Sequence, residues 1–126
     1  MSHVRTYRDL LVWHKGMALV TSVYLAARAF PRDEIYGLTS QLRRCAVSIP
    51  SNIAEGHSRT TRKEFLRFLE ISLGSLFELQ TQLEIAKNLS HLAPDAYNGL
   101  DNQSREVERM LTSFMRSLKR GPNTTP

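Results

Sequence analysis

The sequence is poor in the features that mark secreted and membrane proteins. Its 126 residues include a single cysteine, Cys45, so an internal disulfide is excluded and a reducing cytoplasm is the expected compartment. No apolar run approaches the roughly 20 residues that cross a bilayer, and residues 1–10 lack the apolar segment of a secretory signal. We therefore expect a cytoplasmic protein without a membrane partner, in which Cys45 is a small buried side chain.

Catalytic and cofactor-binding motifs are also missing. The sequence has neither of the glycine-rich strings that bind nucleotide phosphates, and no Glu-x-x-His pairs of the kind that hold a di-iron centre in a bundle. Its four histidines, His3, His14, His57 and His91, lack the spacing of metal ligands, and its serines have no neighbouring base. These absences predict a protein that is not an enzyme and that has no metal site and no cofactor.

Hydrophobic residues recur at helical spacing in four segments, and no segment alternates with the two-residue period of a strand. The segments predict one domain over residues 1–126, with short connections that favour antiparallel neighbours. The predicted fold is therefore all-α, an up-down-up-down antiparallel four-helix bundle. Its helices cover about residues 7–29, 34–55, 61–89 and 94–119, and the tail at 121–126 is expected to fray.

The ends and the faces of these helices follow from local signals. Pro31 ends the first helix, Pro94 is allowed in the first turn of the fourth, and Gly121 stops the fourth. Thr61 and Glu64 have the spacing of a capping box at the start of the third helix. The core-facing positions of the first helix are predicted from steps of three and four residues: Leu10, Trp13, Met17, Val20, Tyr24 and Ala27. The same spacing predicts the core-facing positions of the other three helices: Leu38, Leu42, Cys45, Ile49 and Ile53 of the second, Phe65, Leu69, Ser72, Leu76, Leu79, Leu83 and Ala86 of the third, and Tyr97, Leu100, Val107, Leu111, Phe114 and Leu118 of the fourth.

The third helix is more apolar than one core face requires. Beyond its seam it carries apolar residues on neighbouring faces, and so wide an apolar stripe buries more than one side. Either this helix is central or its second face meets another subunit. Because a four-helix bundle has no central helix, we expect a homo-oligomer. The predicted subunit interface consists of Leu66, Phe68, Leu73 and Phe77.

A proline inside the second helix is the most unusual local feature. The stretch from Gln41 to Gly56 reads QLRRCAVSIPSNIAEG, and its interior proline removes a hydrogen-bond donor at a cost of roughly 3 kcal/mol. We expect Pro50 to kink the helix and Gly56 to end it in the left-handed conformation. Six residues of this stretch are predicted to form a structural corner, with direct contact to a ligand as the alternative: Ser48, Ile49, Pro50, Asn52, Glu55 and Gly56.

Positive charge collects at one end of the predicted bundle. The net charge is +5, from 17 basic and 12 acidic residues, yet residues 109–126 contain four bases and no acid. In an up-down bundle, the start of the first helix, the corner between the second and third helices and the end of the fourth helix share one end. Seven bases there form the predicted nucleic-acid-binding surface: Arg59, Arg62, Lys63, Arg67, Arg116, Lys119 and Arg120.

A family resemblance begins in the proline-containing stretch. SIPSNIAEG, preceded by QLRR, resembles the signature of a bacterial family of small four-helix-bundle proteins encoded within intervening sequences of large-subunit ribosomal RNA genes. YRDLLVW at residues 7–13 and EFLRFLEISLGSLFEL at residues 64–79 resemble the opening and the third helix of that family. The diversity-generating retroelement accessory protein is similar. The resemblance covers about residues 7–119 and implies an oligomeric ring, typically a homopentamer, with relatives that bind nucleic acid beside a reverse transcriptase.

Two functions remain open. In the first, a non-catalytic oligomeric bundle binds RNA or DNA mainly through backbone phosphates, because no motif for reading bases is present. In the second, the protein is an oligomeric protein–protein adaptor or scaffold with no nucleic-acid role, since an aromatic stacking platform and a glycine-rich RNA loop are both missing. The expected partners are further copies of the chain, RNA or DNA, and a reverse transcriptase or another protein. The separation of charge favours the first function.

Overall fold

The computed structural model describes residues 4–121, which form four α-helices, two short 3-10 turns and no β-strand. The helices are α1 (Leu11–Ala27), α2 (Leu38–His57), α3 (Arg62–Asn88) and α4 (Pro94–Lys119). The 3-10 turn Tyr7–Asp9 occupies the predicted first turn of α1, and the turn Arg32–Glu34 ends at the predicted first residue of α2, so both helices begin four residues later than predicted. The bounds of α3 and α4 lie within one residue of the prediction. Of the predicted frayed tail, only residue 121 lies among the described residues.

Side chains cap the starts of two elements. The Glu64 amide donates to Thr61 Oγ1 at 3.1 Å, which confirms Thr61 as the N-cap of α3. A complete capping box forms between Thr6 and Asp9, before α1, where the sequence analysis had not placed one. Asp9 Oδ2 accepts the amides of Arg5 and Thr6 at 2.9 and 3.2 Å, and these bonds hold the pKa of the Asp9 carboxyl below its ordinary value.

Each helix packs against the next one in the sequence, and α1 also packs against α4, so the four helices enclose one core. Along each packed pair, residue numbers rise on one helix as they fall on its neighbour. Two contacts establish this order for each of three helix pairs. They are Gly16 with Pro50 and Tyr24 with Arg43 for α1 and α2, Ser48 with Ser75 and Gly56 with Phe68 for α2 and α3, and Phe65 with Phe114 and Gln80 with Ser104 for α3 and α4.

The buried face of α1 differs from the predicted one. Its core positions are Val12, Gly16, Leu19, Val23 and Ala27. Met17 and Tyr24, predicted for the core, are 43% and 39% exposed, and Trp13 is half-buried. The helix carries two adjacent apolar stripes, and the one with Gly16 faces inward. A Cβ on Gly16 would lie 3.6 Å from Pro50 Cβ, an ordinary van der Waals distance, so Gly16 packs against α2 without being required there. The bulkier stripe is left at the surface.

The other three helices bury their predicted faces. The predicted residues that are buried are Leu42, Cys45, Ile49 and Ile53 of α2, Leu69, Ser72, Leu76, Leu79, Leu83 and Ala86 of α3, and Leu100, Val107 and Leu111 of α4. Each large aliphatic side chain removed from water stabilises the fold by about 1.5–3 kcal/mol. Cys45 is buried as predicted, and burial, reinforced by the nearby charge of Glu78, raises the pKa of its thiol to about 12.

Gly56 lies inside α2, so the predicted left-handed exit at this residue is wrong. Within residues 4–121, positive φ angles occur only at Ser90 and at Gly121, where α4 has ended as predicted. A Cβ on Gly56 would lie 2.7 Å from Phe68 Cβ and 3.0 Å from Phe65 Cδ1. Glycine is therefore required here by the close approach of α3 and not by the conformation of the backbone.

A contact between a histidine and a glutamate joins the α1–α2 connection to the α3–α4 connection. His91 Nε2 lies 3.1 Å from Glu34 Oε2, and the His91 ring packs against Phe30 with centroids 5.7 Å apart. The other carboxylate oxygen of Glu34 accepts the Leu38 amide at 3.2 Å, at the start of α2. The hydrogen bond from His91, followed by that from Leu38, holds the pKa of the Glu34 carboxyl below its ordinary value.

We expect Gly56→Ala to lower the free energy of unfolding by about 1–3 kcal/mol, because the added methyl group overpacks the contact between α2 and α3. The matched control is Gly99→Ala, since Gly99 is also helical but has open space around its Cβ position. That variant is expected to gain up to about 1 kcal/mol from helix propensity. Urea unfolding at one fixed protein concentration measures the free energy of unfolding of both variants. Equal changes in the two variants would show that α3 does not constrain position 56.

We expect the stability contributed by Glu34 to disappear in acid. Because its pKa is lowered in the folded state, this carboxylate stabilises the protein above its ordinary pKa of 4.5, and the contribution is lost as the pH falls through the folded pKa. The parent protein should therefore exceed Glu34→Gln in stability most clearly above pH 4.5. Thermal unfolding between about pH 3 and pH 7 measures the difference. A difference that stays constant over this range would contradict the charged contact.

Candidate nucleic-acid interface

Aromatic contacts bring the segments of the predicted basic end together. The centroid of the Phe65 ring lies 5.7 Å from that of His57 and 5.5 Å from that of Phe114. These contacts join the end of α2, the start of α3 and the last turns of α4. Tyr7, in the turn before α1, lines one groove with Ala54, close to the end of α2. The three segments that carry the predicted basic residues therefore lie near one another and near the turn before α1.

Six of the seven predicted binding residues are exposed cations without an acidic partner. Among the residues that the structure describes, none of the six has a carboxylate oxygen within 4.0 Å of its charged nitrogen atoms. Their charges are consequently hydrated and available to an anion in solution. The six residues, called the basic end below, are Arg62, Lys63, Arg67, Arg116, Lys119 and Arg120.

Three of these cations line one open pocket. Lys63 and Arg67 of α3 lie opposite Lys119 of α4 around a volume of about 640 Å³. Glu64 and Glu70 line the same pocket, so its surplus of positive charge is smaller than the sequence suggests. Bases in such a pocket bind phosphate oxygens, and carboxylates beside them accept hydrogen bonds from hydroxyl or amino groups.

Arg59, the seventh predicted residue, is engaged within the subunit. Its guanidinium lies 2.8 Å from Glu55 Oε2 and 4.6 Å from the centroid of the Phe68 ring. The carboxylate neutralises the charge, and the ring restricts the side chain. Charge counting along the sequence missed this pairing, although the spacing of four residues between Glu55 and Arg59 within one helical turn is the signal for it.

The polar residues of the signature stretch bind within the subunit. Ser48 Oγ lies 2.8 Å from Ser75 Oγ, and Asn52 Nδ2 donates to the Ser48 carbonyl and hydroxyl at 2.8 and 2.9 Å. Ser72 Oγ, buried in α3, donates to the Ile49 carbonyl at 2.8 Å. The helix continues through Pro50, which is buried, and the kink stays a prediction. These contacts favour a structural role for the stretch.

The four residues predicted for subunit contact are not equally exposed. Leu66 and Leu73 are half-buried and pack against the core, and Phe68 lies against Gly56. Phe77 is 46% exposed. The exposed face of α3, called the outer α3 face below, contains Phe77 together with three residues that the prediction did not include: Ile71, Gly74 and Ile85.

An apolar groove between α1 and α2 was missed by the sequence analysis. Two adjoining volumes of about 370 and 400 Å³ share Val20 and Val47 as lining residues, so they form one continuous groove. The available signal was the second apolar stripe of α1, which the sequence analysis assigned to the core. The residues that line this α1–α2 groove include Tyr7, Trp13, Met17, Val20, Tyr24, Leu25, Val47, Pro50, Ser51 and Ala54.

Metal ligands and membrane spans were considered over the same described range. Within residues 4–121, no three side chains of His, Cys, Asp or Glu come together in a way that would hold a metal ion. No helix in that range is long and apolar enough to cross a membrane.

Known proteins resemble this chain in sequence and in fold. A crystal structure of a protein of unknown function from the S23 ribosomal protein family of Bacteroides thetaiotaomicron matches it with a TM-score of 0.79, over 84% of this chain and 99% of that one. The two are 21% identical, so the likeness shows a shared fold. Among curated proteins, none matches the sequence significantly. The sequence profile of the 23S rRNA-intervening sequence proteins matches residues 8–113, and the chain belongs to that family.

Proposed function

We propose that this protein is a non-catalytic oligomer that binds nucleic acid, RNA or DNA, mainly through backbone phosphates at the basic end. The observation that carries the proposal is the group of six exposed cations that have no acidic partner within residues 4–121. A surface of this kind neutralises phosphates, releases counterions and carries no sequence information. The family description, 23S rRNA-intervening sequence protein, supports RNA as the first ligand to test.

Helix dipoles account for only half of the basic end. Arg116, Lys119 and Arg120 lie at the end of α4, where cations stabilise the helix. Arg62 and Lys63 occupy the first turn of α3, where the dipole disfavours cations by a few tenths of a kcal/mol each. The helix dipole therefore does not explain why Arg62 and Lys63 are basic. Their position beside the three bases of α4 supports selection for binding a polyanionic ligand.

The assembly is part of the same proposal. The order of the contacts between neighbouring helices supports an up-down-up-down arrangement, and the family resemblance supports a ring of five subunits in a bacterial cytoplasm. A ring multiplies the number of basic ends that one nucleic acid meets.

One observation favours the alternative function, a protein–protein adaptor. The α1–α2 groove is apolar, and Met17, Tyr24 and Val47 within it are 43%, 39% and 40% exposed. An exposed apolar groove is a typical docking surface for a helix. In this alternative, the α1–α2 groove binds a reverse transcriptase or another protein.

We expect the parent protein to bind duplex RNA and DNA without sequence preference, with a log–log salt slope of about −3 for DNA if three to four phosphates are neutralised per chain. Replacing Arg62, Lys63 and Arg67 by alanine should weaken binding and reduce the slope by about 1 for each base that contacts a phosphate. Fluorescence anisotropy titrations at about 50 and 200 mM salt measure both quantities.

The matched control replaces Arg32, Arg44 and Lys87 by alanine. These bases are exposed but lie outside the basic end, and the change in net charge is the same. The control is expected to keep a salt slope close to that of the parent. Equal weakening by both triple variants, or no binding of the parent at low salt, would reject the basic end and favour the adaptor.

A further inference from the structure

An exposed glycine in the middle of α3 has no explanation within the subunit. A Cβ at Gly74 would meet nothing within 4 Å, and the φ angle at this residue is not positive. Glycine inside a helix costs about 0.5–1 kcal/mol relative to alanine. Its neighbours on the outer α3 face, Ile71 and Phe77, are 43% and 46% exposed. A bare backbone between exposed apolar side chains fits a surface that another helix approaches closely.

The α1–α2 groove is a second apolar surface on a different side of the bundle. It is formed by α1 and α2, whereas α3 packs against α2 and α4. From Trp13 to Tyr24 the groove extends about 16 Å along α1, and from Ile71 to Ile85 the outer α3 face extends about 21 Å, at a rise of about 1.5 Å per residue. The groove is concave and the helix face is convex, and the face is about one helical turn longer than the span of the groove from Trp13 to Tyr24.

Between Ile71 and Ile85 the exposed charged residues of α3 are acidic, with Arg67 and Lys87 just beyond the two ends of that span, whereas the charges beside the groove are basic. Arginines border the groove: Arg28 lines it, and the guanidinium of Arg43 lies 4.9 Å from the centroid of the Tyr24 ring. The residues that line the groove include no acid. On α3, Glu70, Glu78 and Glu84 are exposed. None of these five charged residues forms an ion pair among the residues that the structure describes.

We propose that the outer α3 face of one copy of this chain docks in the α1–α2 groove of a second copy. The contact is heterologous, because each subunit offers a face to one neighbour and a groove to another. Gly74 lets the helix backbone enter the groove, the apolar side chains cover Met17 and Val47, and the glutamates of α3 lie near the arginines of the groove. The proposal rests on the oligomer proposed above and not on nucleic-acid binding.

Single substitutions on each surface test the contact by light scattering at micromolar concentration. The parent protein is expected to have several times the 14.4 kDa mass of one chain. Gly74→Arg places a large cation where the arginine-bordered groove must approach, and Val47→Glu places a carboxylate in the groove. Both variants are expected to be folded monomers, because position 74 has open space and Val47 is 40% exposed.

Gly99→Arg is the matched control, since Gly99 of α4 is equally exposed and has equally open surroundings. It adds the same charge and should keep the mass of the parent. Far-UV circular dichroism and thermal unfolding establish that each variant is folded. If Val47→Glu does not fold, Met17→Glu replaces it, because Met17 lines the same groove and is 43% exposed.

Mixing the two monomeric variants gives the decisive result. Gly74→Arg retains an intact groove, and Val47→Glu retains an intact outer α3 face. An equimolar mixture should therefore form a 1:1 pair with twice the mass of one chain and nothing larger, because each chain contributes one usable surface. A mixture that stays monomeric, a monomeric parent, or Gly74→Arg with the mass of the parent would each overturn the proposal. Failure of nucleic-acid binding by an intact oligomer would reject the proposed function and leave this contact standing.

Discussion

The close contact between α2 and α3 is the constraint on which the rest of the structure depends. A Cβ on Gly56 would lie 2.7 Å from Phe68 Cβ, and serines meet along the same contact at Ser48 and Ser75. The absent side chain of Gly56 leaves room for Phe65 and Phe68 of α3, and the Phe68 ring also packs against the guanidinium of Arg59. The corner between α2 and α3 is therefore fixed in position, and the cations that follow it lie at the start of a well-anchored helix.

Local sequence signals predicted the fold where one signal dominates and failed where two compete. The buried faces of α2 and α4 were predictable because each helix has one clearly most apolar stripe, and the buried face of α3 was predictable from its heptad spacing although neighbouring faces are also apolar. On α1 two stripes are similarly apolar, and which of them is buried depends on how α1 packs against α2 and α4. The prediction of a left-handed cap at Gly56 failed because a second cause can place a glycine near a helix end. Here the close approach of α3 leaves no room for a Cβ.

The candidate site shows the same division between local and tertiary information. The location of the basic end followed from helix order alone, and six of its seven predicted cations are unpaired among the described residues. The ion pair of Arg59 with Glu55, which precedes it by one helical turn, was not predicted, and the role of Arg59 in binding stays a prediction. The presence of Glu70 in the pocket of Lys63 and Lys119 depends on how α3 and α4 pack, and counting charge by helix end left it out. Sequence reasoning therefore predicted where charge collects but not how much of it is compensated.

The subunit contact also determines how the basic ends of an assembly are arranged. In a cyclic ring, neighbouring bundles are related by rotation, so all bundle axes have the same inclination to the ring axis. For a five-fold ring, a shallow helix crossing of about 20° between neighbours requires an inclination of roughly 17°, whereas a crossing of about 50° requires roughly 46°. Helices that lie along a groove favour the shallow crossing, because the contact then continues over several turns. Bundles nearly parallel to the ring axis place every basic end on one face, where one polyanion contacts several subunits at once and binds with higher avidity. The proposed apolar contact between subunits thus decides whether the six cations of each chain, unpaired among residues 4–121, act separately or together.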